Sequence, residues 1–67
     1  MPIISRLGEK IRKIRKGKKI TQEKLAELAG IDPKSVIQIE GGKRNPTIKT
    51  LNQIARALGT TIEDILS

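Results

Sequence analysis

Apolar residues along the 67-residue chain recur at helical rather than strand spacing. Ile4, Leu7, Ile11 and Ile14 stand 3, 4 and 3 positions apart, the spacing of one helix face. Ser5 is a candidate cap for this first helix, and Gly17 followed by Lys18 and Lys19 is expected to end it. Gly8 in its interior costs about 1 kcal/mol relative to alanine, so fraying of the first turn is expected. Thr21 is the expected N-cap of a second helix carrying Leu25, Ala26, Leu28 and Ala29, which stops at Gly30. Asp32-Pro33 restarts the chain, since Asp is a favoured N-cap and Pro lacks an N–H that the first helical position would leave unpaired. A third helix is predicted from Pro33 to Glu40, with Val36 and Ile39 inward, closed by Gly41-Gly42. After Lys43-Arg44-Asn45-Pro46, Thr47 caps a fourth helix with the stripe Ile48, Leu51, Ile54, Ala55 and Leu58, ending at Gly59. Thr61 opens a short fifth helix, with Glu63 and Asp64 where the helix dipole favours them and with Ile62, Ile65 and Leu66 as its apolar face.

The pattern holds no strand-like alternation, repeat or low-complexity linker, so the predicted fold class is all-α: five short helices in a single domain spanning 1–67. A chain this small buries a modest core, which makes partner association an expected source of extra stability. Charge adds a direction. Fourteen Lys and Arg against seven Asp and Glu leave +7, and eight of the fourteen lie between Arg6 and Lys19. Such a run attracts polyanions, whether nucleic acid or an anionic membrane, although a solvated helix face explains it equally well on its own. No apolar run approaches the ~18 residues that cross a bilayer, and Met1 to Arg6 lacks the form of a secretion signal. With no Cys there is neither a disulfide nor a thiolate metal site, and a cytoplasmic location is expected.

The second and third helices are joined only by Gly30-Ile31-Asp32, a turn short enough to cross them steeply. Such a unit needs a small residue where the helices approach (Ala26), a turn residue (Gly30) and apolar residues that pin the third helix onto the core (Ile31, Val36, Ile39), and the chain has all of them. The joint pattern is much rarer than the turn alone. It runs Ile11-x-x-Ile14-Arg15, then Ile20-Thr21-Gln22-Glu23-x-Leu25-Ala26-x-x-Ala29-Gly30-Ile31. It continues as Val36-x-x-Ile39-Glu40-x-Gly42-x-Arg44-x-Pro46-Thr47 and Leu51-x-x-Ile54-Ala55-x-Ala57-Leu58-Gly59. Over nearly the whole chain this resembles the Cro and phage-repressor (XRE) type of helix-turn-helix domain, with its compact five-helix, lambda-repressor-like fold and the helix-turn-helix unit at about 21–40.

The resemblance implies a sequence-specific regulator of transcription on double-stranded DNA, a repressor by expectation, whose third helix enters the major groove while the second crosses the backbone. Lys34, Ser35 and Gln38 are then expected at base edges, where Lys donates to guanine O6 and N7 and Gln pairs with adenine N6 and N7. Ile37 falls on a slot that is usually polar, and two placements are open: against a thymine methyl, or turned into the edge of the core. Thr21 and Gln22 match a phosphate-contacting position, where Gln22 also braces the third helix. Lys43, Arg44 and Asn45 match a second phosphate site, to which the free amides of the fourth helix add, with a solvated loop as the plainer alternative. Arg15 and Glu40 match a structural ion pair, whose loss of one partner costs about 3–5 kcal/mol if fully buried. Related domains often dimerise through the fifth helix, so Ile62, Ile65 and Leu66 are candidates for a homodimer interface or for the core. A dimer reads half-sites ~34 Å apart as an inverted repeat.

Other classes fare worse. There is no His, Cys or Tyr, the carboxylates are scattered, and no phosphate-binding glycine loop or metal spacing is present, so no enzyme, cofactor, metal or small-molecule substrate is expected. A binder of single strands or RNA usually stacks bases on aromatics, and the chain has none. A membrane-surface role would spend the first helix's apolar face, which the core needs. An antitoxin or co-regulator module, acting mainly on another protein, is the leading alternative. The end of the chain at Ser67, just after the fifth helix, is expected either of a stand-alone regulator or of a segment cut from a longer protein.

Overall fold

The computed structural model describes residues 3–67, with side chains described from Arg6 onward. Five helices follow one another: α1 (Ile3–Gly17), α2 (Gln22–Ala29), α3 (Pro33–Glu40), α4 (Ile48–Ala57) and α5 (Ile62–Leu66). Among the described residues there is no strand, and no helix is long and apolar enough to cross a membrane. Four starts are made by side-chain oxygens accepting otherwise unpaired first-turn N–H groups. Thr21 Oγ1 accepts from the Lys24 amide at 3.0 Å, Asp32 Oδ1 from Lys34 at 2.8 Å, and Thr47 Oγ1 and Thr61 Oγ1 from Thr50 and Asp64 at 3.1 Å each.

α2 packs on α3 and α4, α1 on α3 and α5, and α4 on α5. Their inward stripes meet in one cluster whose most buried members are Ile11, Leu25, Val36, Ile39, Ile54 and Ile65. Burial of each such side chain contributes about 1.5–3 kcal/mol relative to exposure. Ile14, Ile20, Ile31 and Ile62 pack on its edge. The molecule measures 28 × 22 × 22 Å.

Several details differ from the expectations. α1 starts ahead of Ser5, which therefore lies inside the helix and does not cap it. Ile4, expected inward, lies outside the residues whose side chains are described. Gly17 is the last helical residue of α1, but the left-handed turn falls two positions later, on Lys19 (φ 59°). Leu28 is 52% exposed, because it points about 100° from the centre of the Leu25, Ala26, Ala29 stripe that α3 and α4 cover. Ile48 is 72% exposed, since it sits in the first turn of α4, beyond the stripe formed by Leu51, Ile54, Ala55 and Leu58.

Gly8 has a packing role in α1 that the spacing does not show. A Cβ there would be driven into the carbonyl oxygen of Ile39 and would lie 2.8 Å from that of Glu40. The glycine lets α1 touch the last turn of α3 backbone to backbone, and so sets where α3 sits.

Candidate nucleic-acid interface

α3 divides cleanly. Val36, Ile39 and Glu40 are buried, while Lys34 and Ile37 face solvent with Ser35 and Gln38 half-buried beside them. Ile37 is 53% exposed, so of its two placements the turn into the core is not adopted. Pro33, with Asp32 as cap, starts this helix where the chain leaves the Gly30 turn (φ 71°), and Ile31 packs on the core edge beneath it.

The inner end of α3 is held by ionic and polar contacts. Arg15 grips Glu40 through two parallel hydrogen bonds, Nε to Oε2 at 2.7 Å and Nη2 to Oε1 at 3.0 Å. The side chains are 9% and 2% exposed. Arg15 Nη1 also donates to the Ile20 carbonyl at 2.8 Å, and Gln22 Nε2 donates to Glu40 Oε1 at 3.2 Å. The Arg15–Glu40 pair thus joins four segments: α1, the turn after it, the start of α2 and the end of α3. Among the described residues no buried side-chain polar atom is left without a partner, so the charge of Glu40 is fully answered. This is scaffold chemistry: a buried carboxylate that accepts three hydrogen bonds, two of them from an arginine, is spent on holding the helices together. Gln22 spends its amide N–H on the brace, leaving its side-chain oxygen and backbone amide for other contacts.

Two recesses border the outward side of α3. Gln22, Ile37 and Arg12 line one, together with the Arg15–Glu40 pair. Ser35, Arg44 and Asn45 line the other, and Arg44 Nη1 donates to Ser35 Oγ at 3.0 Å. Arg44 therefore sits against the first turn of α3, while the Lys43 amide donates to the Gln38 carbonyl near its end; Lys43, Arg44 and Asn45 are all exposed, and Thr21 is exposed at the start of α2. Arg12 did not stand out in the sequence, where it is one of eight bases in a run. The available signal is that it precedes Arg15 by three residues and so lies on the α3 side of α1.

The three apolar residues of α5 part company. Ile65 is 2% exposed and belongs to the core of its own chain, because α5 lays it across the seam of α1 and α4, so it is withdrawn from the candidate homodimer interface. Ile62 packs half-buried on the same core, and Leu66 is 59% exposed. Among the described residues no group of His, Cys, Asp and Glu is placed to hold a metal ion.

A family model described as a helix-turn-helix domain matches residues 8–67. The chain is 38% identical over 60 residues to the immunity repressor protein of Bacillus phage phi105, covering 90% of this chain and 42% of that repressor. It is 36% identical over 60 residues to the transcriptional activator BcrR of Enterococcus faecalis, covering 90% of this chain and 29% of that activator. The chain thus spans less than half the length of either relative. The restriction-modification controller protein C.AhdI of Aeromonas hydrophila has the same fold, with a TM-score of 0.91 at 31% identity, covering 92% of this chain and 94% of that one. The residues that cap, turn and pin α2 and α3 are those the pattern required, and the chain belongs to the helix-turn-helix domain family, of the Cro and phage-repressor type.

Proposed function

We propose that the chain is a sequence-specific transcriptional regulator that reads double-stranded DNA with the outer face of α3 and represses by occupying an inverted-repeat operator as a dimer. One observation carries this reading: the outward side of α3 is open between two cation-bearing recesses, while its inner side is locked by the Arg15–Glu40 pair. An open helix face of about two turns, flanked by phosphate-binding groups, matches what a major groove accepts. Lys34, Ser35, Ile37 and Gln38 face base edges, with Ile37 set against a thymine methyl. Thr21, Gln22 and Arg12 take the phosphates on one flank, and Lys43, Arg44 and Asn45 those on the other.

A second copy meets α5 at Leu66 and the outer edge of Ile62. So little apolar surface falls well short of the roughly 1,000 Å² that a stable interface needs, so pairing is expected to be completed on the DNA. A module acting mainly on another protein is the competing reading, favoured by the exposure of Leu28 and Leu66 away from α3.

Selection of duplexes from a random pool, followed by affinity measurement across a salt series, tests the reading. Enrichment of an inverted repeat with half-sites about one helical turn apart is the expected result. Gln38→Ala should cost about 1–3 kcal/mol on the selected site and relax one position per half-site. A pool that stays random, with binding that only fades as salt rises, would reduce the surface to a holder of phosphates and overturn the reading.

A further inference from the structure

The basic run of α1 serves two sides of the molecule. Arg12 and Arg15 face α3, whereas Arg6, Lys10 and Lys13 lie along the opposite edge, where α1 meets α5. There they rim a groove of about 450 Å³ that Glu9 also borders. Its floor shows only the edges of Leu7 and Ile65, 8% and 2% exposed, and its main apolar surface is the wall formed by the exposed Leu66. Among the described residues none of the three cations has an ion-pair partner. The groove therefore joins, among the described residues, an apolar wall to three side-chain cations and one side-chain carboxylate.

We propose that this groove docks a short acidic segment of a partner protein, anchored by leucine-type side chains against Leu66 and the apolar edge beneath it, with its carboxylates on Arg6, Lys10 and Lys13. The charge pattern selects this occupant over the others. A second copy docked symmetrically would set these cations against themselves on a chain already at +7. A DNA duplex would satisfy the cations and leave the apolar wall unused, since it offers phosphates but no apolar side chain at its backbone. An acidic segment with an apolar face uses both features, in the manner of a helix laid in a groove. The site stands apart from α3 but shares Leu66 with the α5 surface proposed for a second copy, so a partner held there competes with pairing of two chains and leaves the DNA-facing side of α3 open.

The test uses a fluorescein-labelled peptide of glutamates and aspartates carrying two leucines one helical turn apart, read by fluorescence anisotropy. A second peptide has serines in place of the leucines. Saturable binding of the leucine peptide is expected, weakened about tenfold by the serines. Lys10→Gln/Lys13→Gln should weaken it by a similar factor of about ten, from two lost charge pairs. The same variant should hold its selected duplex to within about twofold at physiological salt, because charges more than a Debye length (~8 Å) from the phosphates are largely screened. Retained duplex binding also shows that the variant is folded. Equal binding of the two peptides would reduce the groove to charge attraction and overturn the proposal. Absence of binding, or binding that ignores Lys10→Gln/Lys13→Gln, would overturn it too. Self-association of the chain that this variant abolishes would give the groove to a second copy instead.

Discussion

At the scale of single residues, Gly8 and the Arg15–Glu40 pair make opposite demands on substitution. Helix propensity alone says that Gly8→Ala should stabilise α1 by about 1 kcal/mol. The packing says the reverse, because the added Cβ meets backbone carbonyls of Ile39 and Glu40, which cannot rotate away. Overpacking of this kind costs about 1–3 kcal/mol, so the urea midpoint of Gly8→Ala should fall. A rise would mean that the backbones can separate freely. For the ion pair, Glu40→Gln leaves the Arg15 charge buried without its counter-charge, and a loss of about 3 kcal/mol is expected. Replacing both partners, Arg15→Met with Glu40→Leu, removes the stranded charge and should recover most of that loss, apart from the hydrogen bond to the Ile20 carbonyl. A thermal-melt cycle over the single and double variants measures the coupling directly. A double variant as unstable as the single one would show that the pair itself, rather than the avoidance of an orphan, holds α3.

Among the elements, four helices end in the same two-bond motif, and one of them ends in it with the wrong residue. After α2, α3 and α4 the left-handed position is held by Gly30, Gly42 and Gly59. At each of these ends the glycine N–H bonds three residues back and the next N–H five residues back, as in Gly59 to Arg56 and Thr60 to Ala55. α1 repeats the pattern with Lys19, bonded to Lys16, and Ile20, bonded to Arg15. A left-handed non-glycine residue costs about 1–2 kcal/mol, part of which a glycine gives back through the freer unfolded chain. Lys19→Gly should therefore stabilise by about 0.5–1 kcal/mol, a rise of several degrees in Tm for a domain of this size. A fall would show that the Lys19 side chain contributes more than its backbone costs. The register of this end follows from α1's contacts, since Ile20 packs on the core and its carbonyl is held by Arg15. Gly17, the residue a reader of the sequence would choose, stands two places too early to form the turn.

For the molecule as a whole, the distribution of charge matters more than its total. Cations gather on the flanks of α3 and at the α1–α5 groove, and under the proposals above these surfaces answer to different ligands. Arg44→Ala removes one flank cation that rests on Ser35, and so should weaken all duplexes alike, lowering the salt slope of binding by about one. A loss confined to one sequence would instead place Arg44 at a base edge. The scarcity of apolar surface on α5 acts at the same scale: with Ile65 spent on the core, any pairing of two chains has little to hold it away from DNA.

Capping residues, turn residues and apolar spacing are local, so the sequence by itself determined the helix count, the boundaries of α2 and α3, and the turn between them. The buried pair was also legible, but only because Arg15 and Glu40 matched a family pattern: the two residues stand 25 positions apart and nothing local joins them. What tertiary structure alone decided were matters of which neighbour covers which face. Leu28 and Ile48 lie in apolar company along the chain yet face solvent, because α2 and α4 present other stripes to the core. Gly8 reads only as a weakness in a helix, and Lys19 as ordinary, until α3 and the Arg15 network are set against them. Ile37 was undecided between core and solvent for the same reason. Spacing reports which residues share a helix face, but a contact between helices depends on where each axis lies, and only the folded chain fixes that.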